Sequence, residues 1–340
     1  MTAPPHLLLM LDRHLGNFLV ASPVLCDWAA RQPQTRSVID QSLEALAARI
    51  PGFPEPIAIY QGSGSAPKRL RSFLRVMHAV RGHNAGTLAE FGGSRTGARI
   101  GAWSGAELRI CRAGEPLARH YNLHAPRGRP GAHRVETYGE LARTAGVDAK
   151  WRQPRLHSTP ADRNATRSNR LIPPEPFVCL HVAGGKSYKH WPRAHFARLA
   201  DELERQGLRV VLIGGPADRE AVDEVKRLSR TVSIDLAGKI PIGQLIAVLE
   251  ESRLFIGNDS GPMHLAAAAG THVVALFGPT DPARWRPLTD RLTLIRGNTP
   301  ASPDEGKKNF PDGRRMDSIT VDTVLEALAP HLPGPLTATN

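Results

Sequence analysis

Three short apolar runs in the second half of the chain each end in a glycine-containing loop. They are FVCLHVAGG (177–185), LRVVLIGG (208–215) and RLFIGNDSG (253–261). Continuous apolar runs of this length are typical of strands that are buried on both faces of a parallel sheet. Stretches with helical periodicity lie between these runs, at 194–206, 218–229 and 242–252. Strands that alternate with helices in this way predict an α/β fold with a doubly wound parallel sheet.

The first half repeats the alternation less clearly. HLLLML (6–11) and PIAIY (56–60) read as short strands. Gly16 and Asn17 predict a turn, and the helix after it is expected to begin near the Ser22-Pro23 pair. A strongly basic helix is predicted at 68–82. Its predicted apolar stripe consists of Leu70, Phe73, Leu74, Met77 and Val80.

The alternation stops at about 153–176, where Pro, Asn, Ser and Arg dominate and apolar residues are few. This composition is typical of a linker. We therefore expect a first domain at 1–172 that ends in the linker, and a second at 173–331. The tail 332–340 is expected to be disordered.

The positive charge is confined to one half. Residues 1–172 contain 24 Lys and Arg against 12 Asp and Glu, whereas residues 173–340 contain 20 of each, so the whole net charge of +12 lies in the first half. Such an excess predicts an acidic partner for the first domain: nucleic acid, an anionic membrane surface or a phosphorylated glycan. Aromatic residues make up only 5% and no nucleic-acid-binding motif is present, which argues against nucleic acid.

Two further features describe the class of protein. No run of eighteen apolar residues occurs, so no transmembrane helix is expected. Cys26, Cys111 and Cys179 are far apart and lack metal-ligand spacing, which favours reduced cysteines in a cytoplasmic protein.

The loops after the three apolar runs point to an anion site. In open parallel sheets, ligands bind beyond the carboxyl ends of the strands, where helix N-termini offer unpaired N–H groups. Ser260 and Gly261 would form the entry to an alanine-rich helix, with His264 in its first turn and Lys189 supplying a mobile positive charge. Neither a Walker motif nor GxGxxG is present. The alternative is structural: Asp259 or Ser260 caps the helix, and His264 is half-buried.

Four segments carry a resemblance to a known family. They are LGNFLVASPVL, KHWPRAHFARLADEL, VVLIGGPADRE and LAGKIPIGQLIAVLEESRLFIGNDSGPMHLAAAAGTHVVALFGPTDPARW. They resemble glycosyltransferase family 9, the ADP-heptose:lipopolysaccharide heptosyltransferases and their relatives. The resemblance implies the GT-B architecture, in which two Rossmann-like domains face a cleft, the first for the acceptor and the second for a nucleotide-sugar donor. It also implies inverting transfer without a metal or other cofactor, and the loops contain no DxD motif.

The resemblance assigns roles to particular residues. Lys189 would pair with the donor phosphates, and Asp218 would contact the nucleotide ribose. The remaining donor-binding positions are Gly184, Gly185, Asp259, Ser260, Gly261 and His264.

Asn17 departs from the family pattern. The first loop of the family usually contains an aspartate there, which is thought to deprotonate the acceptor hydroxyl, and an amide cannot take that proton. One alternative is that Asp12 or His14 takes the base role, and another is that Asn17 only orients the acceptor while solvent or an acceptor phosphate takes the proton. Alternatively, the chain has become a catalytically impaired nucleotide-sugar binding protein. Because the residues of the donor-binding motifs are all retained, we expect the chain to keep its transferase activity.

The basic helix completes the prediction. Lys68, Arg69, Arg71 and Arg75 would bind an anionic, lipid-linked acceptor at the inner leaflet. The sequence thus predicts a cytoplasmic transferase, monomeric and peripheral at the membrane. It would move a heptose or related sugar from a nucleotide diphosphate, ADP-heptose in the first instance, to a lipopolysaccharide-core-type glycan.

Overall fold

The computed structural model describes residues 4–115, 117–129, 131–300 and 313–332. The chain divides into two compact units, Met1–Leu156 (unit 1) and His157–Asn340 (unit 2). The tail that was expected to be disordered lies outside the described residues from position 333 onward.

Unit 1 is built on a six-stranded parallel sheet. Its strands are β1 (His6–Met10), β2 (Arg36–Asp40), β3 (Pro56–Tyr60), β4 (Thr87–Glu90), β5 (Leu108–Arg112) and β6 (Leu123–Ala125). Its helices are α1 (Leu15–Arg31), α2 (Glu44–Ala47), α3 (Ala66–His83), α4 (Arg95–Trp103) and α5 (Arg134–Thr144). The strand order is β3-β2-β1-β4-β5-β6. Helix α1 packs with α5, and α3 packs with α4. Right-handed crossovers place these two pairs on opposite faces of the sheet.

Helix α1 begins earlier than the sequence predicted. His14 is its extended N-cap, so Gly16 and Asn17 lie in its first turn and do not form a separate turn. Pro23 lies inside the helix instead of near its start. Phe18 and Leu19 are fully buried. Their burial stabilises the turns before the proline, which explains why its local helix-breaking tendency does not set the start.

The predicted apolar stripe of α3 is also partly wrong. Leu70 and Leu74 are each 58% exposed. The fully buried positions are Ser72, Val76 and Val80, and the Ser72 hydroxyl accepts a hydrogen bond from the backbone N–H of the residue that follows β3. The face of α3 that meets the sheet is therefore rotated away from the apolar stripe.

Unit 2 is built on a second six-stranded parallel sheet. Its strands are β7 (Phe177–His181), β8 (Arg209–Leu212), β9 (Ile234–Asp235), β10 (Leu254–Asn258), β11 (His272–Phe277) and β12 (Leu292–Arg296). Its helices are α6 (Pro160–Ser168), α7 (Arg193–Arg205), α8 (Arg219–Leu228), α9 (Ile242–Glu251), α10 (Gly261–Ala268), α11 (Pro282–Trp285) and α12 (Val321–Leu328). The strand order is β12-β11-β10-β7-β8-β9, which confirms two doubly wound parallel sheets. In neither unit do the described residues include a helix that is long and apolar enough to cross a membrane.

Most of the segment predicted as a linker, from residue 157 onward, belongs to unit 2 and contains helix α6. The division between the units falls at 156/157, not at 172/173. Thr159 and Asp162 form a reciprocal capping box at the start of α6, and Ser158 bonds the carboxylate of Glu250 on α9. The polar composition thus belongs to an exposed helix that is stabilised by its cap and by packing on α9.

Candidate functional site

Three β–α loops of unit 2 meet at one edge of the sheet. They follow β10, β7 and β8, which are neighbours in the strand order. All three strands are parallel, so their carboxyl ends lie side by side. The predicted convergence of these loops is confirmed.

A lysine from the loop after β7 is paired with the aspartate that follows β10. Lys189 Nζ lies 2.6 Å from Asp259 Oδ2, and the Thr280 hydroxyl donates to the same oxygen at 2.7 Å. The Asp259 side chain is only 6% exposed, whereas that of Lys189 is 20% exposed. A buried carboxylate therefore holds a half-buried ammonium group in place at the edge of the sheet. Thr280 was not identified from the sequence.

Asn258, the last residue of β10, ties the loop after β7 to the strand. Its amide donates to the Ala183 carbonyl at 2.9 Å and its Oδ1 accepts from the Trp191 N–H at 3.1 Å. Trp191 is fully buried, and its indole N–H donates to the Ile319 carbonyl at 2.7 Å. The loop that carries Lys189 is thus anchored on both sides. Neither Asn258 nor Trp191 was singled out from the sequence.

A second chain of contacts links the three loops. Ser260 Oγ lies 3.1 Å from His181 Nδ1, and His181 Nε2 lies 3.4 Å from Asp218 Oδ2. The same Asp218 oxygen accepts from the Gly215 N–H at 2.8 Å. Burial acts to raise the pKa of Asp218, but the hydrogen bond and charge of His181, together with the Gly215 N–H and the charge of His190, outweigh it and hold that pKa below the usual range. His181 is 2% exposed. Its position at the end of an apolar strand was the only sequence signal for it.

The start of α10 carries no side-chain cap. Ser260 is the N-cap residue in extended conformation, but its hydroxyl contacts His181 instead of the helix. The carboxylate of Asp259 is bound to Lys189. The capping alternative for both residues is therefore wrong, and the first N–H groups of α10 are oriented to receive an anion.

The other predicted donor residues lie along the same edge. Gly261 opens α10, and His264 is buried in its first turn. Gly184 packs against the ring of His190, which bonds the Gly184 carbonyl at 2.8 Å. Gly185 is exposed, and a Cβ there would meet nothing within 4 Å.

In unit 1, the loop after β1 and the first turn of α1 bring Asn17 together with the two candidates for the base, Asp12 and His14. Asn17 Nδ2 donates to Asp12 Oδ2 at 2.5 Å, and the His14 backbone N–H donates to Asp12 Oδ1 at 2.9 Å. His14 Nδ1 also lies 2.5 Å from Oδ1. The Asp12 side chain is 14% exposed and that of His14 83%. Asp12 is therefore the partly buried centre of this group.

Glu90, the last residue of β4, was missed by the sequence analysis. It is 1% exposed and accepts from the N–H groups of Gly93 and Ser94 at 2.6 and 3.2 Å. Burial raises its pKa to about 7. A Cβ at Gly92 would lie 2.9 Å from the Asp12 backbone nitrogen. The loop that Glu90 holds therefore packs directly against Asp12.

The candidate acceptor residues Lys68, Arg69, Arg71 and Arg75 are all exposed on α3. Arg69 donates to the Gly64 carbonyl at 2.7 Å. No group of three or more His, Cys, Asp or Glu among the described residues could hold a metal ion. Independence from metal stays a prediction.

The chain is similar in sequence to known heptosyltransferases. It is 40% identical over 119 residues to lipopolysaccharide heptosyltransferase 3 of Escherichia coli K12, a match that covers 34% of this chain and 35% of that protein. The chain thus matches only about a third of the length of this curated relative.

Solved structures match over nearly the whole chain. ADP-heptose lipopolysaccharide heptosyltransferase II of E. coli superimposes with a TM-score of 0.79 at 22% identity, covering 96% of this chain and 98% of that one. E. coli heptosyltransferase WaaC, solved with ADP-2-deoxy-2-fluoro heptose, gives a TM-score of 0.69 at 18% identity, with 96% and 99% covered. These likenesses confirm the GT-B fold.

The family model described as glycosyltransferase family 9 (heptosyltransferase) matches residues 112–312, more than half of the chain. The matched residues include all three loops. They also include the pair Lys189 and Asp259 and the connected side chains of Ser260, His181 and Asp218. The chain belongs to glycosyltransferase family 9, the heptosyltransferase family.

Proposed function

We propose that this protein transfers a heptose from a nucleotide-diphosphate donor, ADP-heptose in the first instance, to an anionic glycan of the lipopolysaccharide-core type at the cytoplasmic face of the membrane. The observation that carries the proposal is the ammonium group of Lys189, held by Asp259 beside the uncapped start of α10. Its chemistry suits a diphosphate, and the WaaC neighbour was solved with an ADP-heptose analogue.

Unit 2 would bind the donor. The diphosphate would lie against the free N–H groups in the first turn of α10, which begins at Gly261, with Lys189 on its other side and the open space at Gly185 admitting its oxygens. Asp218 uses Oδ2 for His181 and Gly215, so Oδ1 would accept from a ribose hydroxyl. When the diphosphate leaves, its growing negative charge is met by groups that are already oriented, and no metal is required.

Unit 1 would supply the base. An acceptor hydroxyl attacks the anomeric carbon, the bond from that carbon to the diphosphate oxygen breaks, and the hydroxyl proton passes to the Asp12 carboxylate. This single displacement inverts the anomeric centre. Asn17, unable to take the proton, orients Asp12 through its amide. His14 is highly exposed and donates to the other Asp12 oxygen, so it is the weaker candidate for the base.

The acceptor would be anionic. The cations of α3, Lys68, Arg69, Arg71 and Arg75, are exposed in the unit that carries Asp12, and they suit phosphates or acidic sugars. Phosphate recognition by several exposed cations adds affinity that weakens as salt rises.

A second candidate rests on one observation, the amide at Asn17 where the family usually has a carboxylate. On this alternative the chain binds the nucleotide sugar without transferring it. It predicts ADP binding of ordinary strength and no acceptor-dependent release of ADP by the unmodified protein.

The test is release of ADP from ADP-heptose in the presence of a truncated, phosphorylated lipopolysaccharide core. We expect acceptor-dependent release by the unmodified protein. Lys189→Ala should weaken ADP binding by roughly 10- to 100-fold, the effect of losing a charge-assisted hydrogen bond. Lys186→Ala, at an exposed position in the same loop, is the matched control and should bind ADP normally. Normal ADP binding by Lys189→Ala would overturn the donor site. Donor binding without release would favour the second candidate.

A further inference from the structure

Two leucines of α3 are exposed on the same face of the helix. Leu70 and Leu74 are each 58% exposed and lie one helical turn apart. Among the described residues of unit 1, only Trp103 is a more exposed large apolar side chain. Because α3 meets the sheet through Ser72, Val76 and Val80, the two leucines do not belong to the core. Their apolar surface is available to a partner.

The same helix carries only positive formal charge. It contains Lys68, Arg69, Arg71, Arg75 and Arg81 and no Asp or Glu, and no acidic residue occurs anywhere in residues 56–89. Arg71 and Arg75 lie beside Leu70 and Leu74 and are exposed with them. The surface formed by these four residues, here called the α3 surface, combines two aliphatic side chains with two cations.

The combination of aliphatic and positively charged side chains indicates what kind of partner the α3 surface binds. A basic face without apolar side chains would fit a dissolved polyanion, and leucines without cations would fit another apolar protein surface. Leucines flanked by arginines fit the boundary between headgroups and acyl chains. There the leucines enter the apolar layer, while the long arginine side chains reach back to the phosphates. Anionic lipids attract such a surface further.

We propose that the α3 surface docks unit 1 onto an anionic phospholipid bilayer, with Leu70 and Leu74 inserted and Arg71 and Arg75 on the headgroups. The placement suits this role. The first turns of α3 follow β3 at the carboxyl edge of the sheet, the same edge at which Asp12 follows β1. When the α3 surface is docked, it holds that edge of the sheet close to the membrane. The lipid end of a lipid-linked acceptor lies in the same membrane. The inference builds on the proposed acceptor, but vesicle binding needs neither donor nor acceptor, so the two proposals can fail separately.

The test is flotation of the full chain with two kinds of vesicle, phosphatidylcholine alone and phosphatidylcholine with about one-third phosphatidylglycerol. We expect binding to the anionic vesicles. Leu70→Ser with Leu74→Ser should lower the partition coefficient at least about tenfold. Arg71→Gln with Arg75→Gln should lower the partition coefficient about fivefold per arginine at low salt. High salt should remove the effect of the arginine substitutions but not that of the leucine substitutions.

The matched control is Leu228→Ser with Val232→Ser, which removes two exposed apolar side chains of unit 2 and should leave vesicle binding unchanged. An unchanged urea-unfolding transition confirms that unit 1 of the leucine variant is folded. Equal loss in the control, or no binding to anionic vesicles, overturns the proposal. It is also overturned if the leucine variant still binds vesicles but transfers poorly to a delipidated acceptor, because the α3 surface would then bind the acceptor itself.

Discussion

The side-chain amide of Asn17 donates a 2.5 Å hydrogen bond to Oδ2 of Asp12. A carboxylate is therefore present at this position of the fold, although it comes from the loop after β1 and not from the first turn of α1. The amide fixes one carboxylate oxygen and the His14 backbone fixes the other. In the proposed mechanism, this arrangement would let Asp12 act as the base although residue 17 is not acidic.

If Asp12 is the base, Asp12→Asn should lower kcat by about 100-fold or more while leaving ADP affinity unchanged, because the donor is held by unit 2. His14→Gln, which alters an exposed side chain of the same loop, is the control and should change kcat by only a few-fold. Steady-state ADP release and calorimetry with ADP measure the two quantities. A large loss in His14→Gln with little loss in Asp12→Asn would assign the base to His14.

The Asn17→Asp variant tests the pairing of Asn17 with Asp12 by changing the Asn17 side chain. It would place a second carboxylate against Asp12, and two like charges in contact raise the pKa of the pair. We expect transfer to persist, with the acid limb of the pH–rate profile moved to higher pH. An unmoved profile would show that residue 17 does not act on the group that accepts the proton.

Asp218→Asn should destabilise unit 2 by about 1 kcal/mol at neutral pH, since the carboxylate partner of His181 is lost. The folded state holds the pKa of Asp218 below its ordinary value of 3.8. This carboxylate therefore contributes stability above that value and loses it as pH falls through the folded pKa. The difference between wild type and variant should shrink in acid, as measured by urea unfolding at several pH values. Asp223→Asn, at an exposed position on α8, should show little difference at any pH.

Glu90 should make unit 1 less stable as pH rises. Its pKa in the folded chain is about 7 against an ordinary value of 4.5. Its contribution is therefore fully present below the ordinary value and is lost as pH rises through the folded one. Glu90→Gln, which stays neutral, should become more stable than wild type by on the order of 1 to 3 kcal/mol between about pH 5 and about pH 8. Denaturant unfolding measures this, and the exposed Glu107→Gln should follow the wild-type profile.

Two glycines of unit 2 should respond in opposite ways to alanine. A Cβ at Gly257, inside β10, would lie 3.0 Å from the His181 carbonyl oxygen and from Phe255 Cζ. Gly257→Ala should therefore lower the free energy of unfolding by about 1 to 3 kcal/mol. Gly185→Ala should leave stability unchanged, because its Cβ meets nothing within 4 Å, but should weaken ADP binding by narrowing the approach to the backbone. Equal stability of the two variants would contradict the packing argument.

The sequence by itself determined three neighbouring strands of unit 2, β7, β8 and β10, and the loops that follow them. Each of these strands is a short apolar run, and each loop is marked by residues whose local chemistry differs from that of a strand, as in GNDSGP after β10. The convergence of the three loops also followed from the pattern, because parallel strands bring their carboxyl ends to one edge. The resemblance to the family supplied the roles of Lys189 and the start of α10.

Tertiary structure decided everything that depends on which elements become neighbours. The start of α1, the exposed leucines of α3 and the helix inside the predicted linker were each set by packing on another element, which outweighs local composition. The partners of the site residues depended on it as well. His181 reaches Ser260 and Asp218 because β7 lies between β10 and β8. That order is set by crossovers between segments 30 or more residues apart, and no local pattern in the chain encodes it.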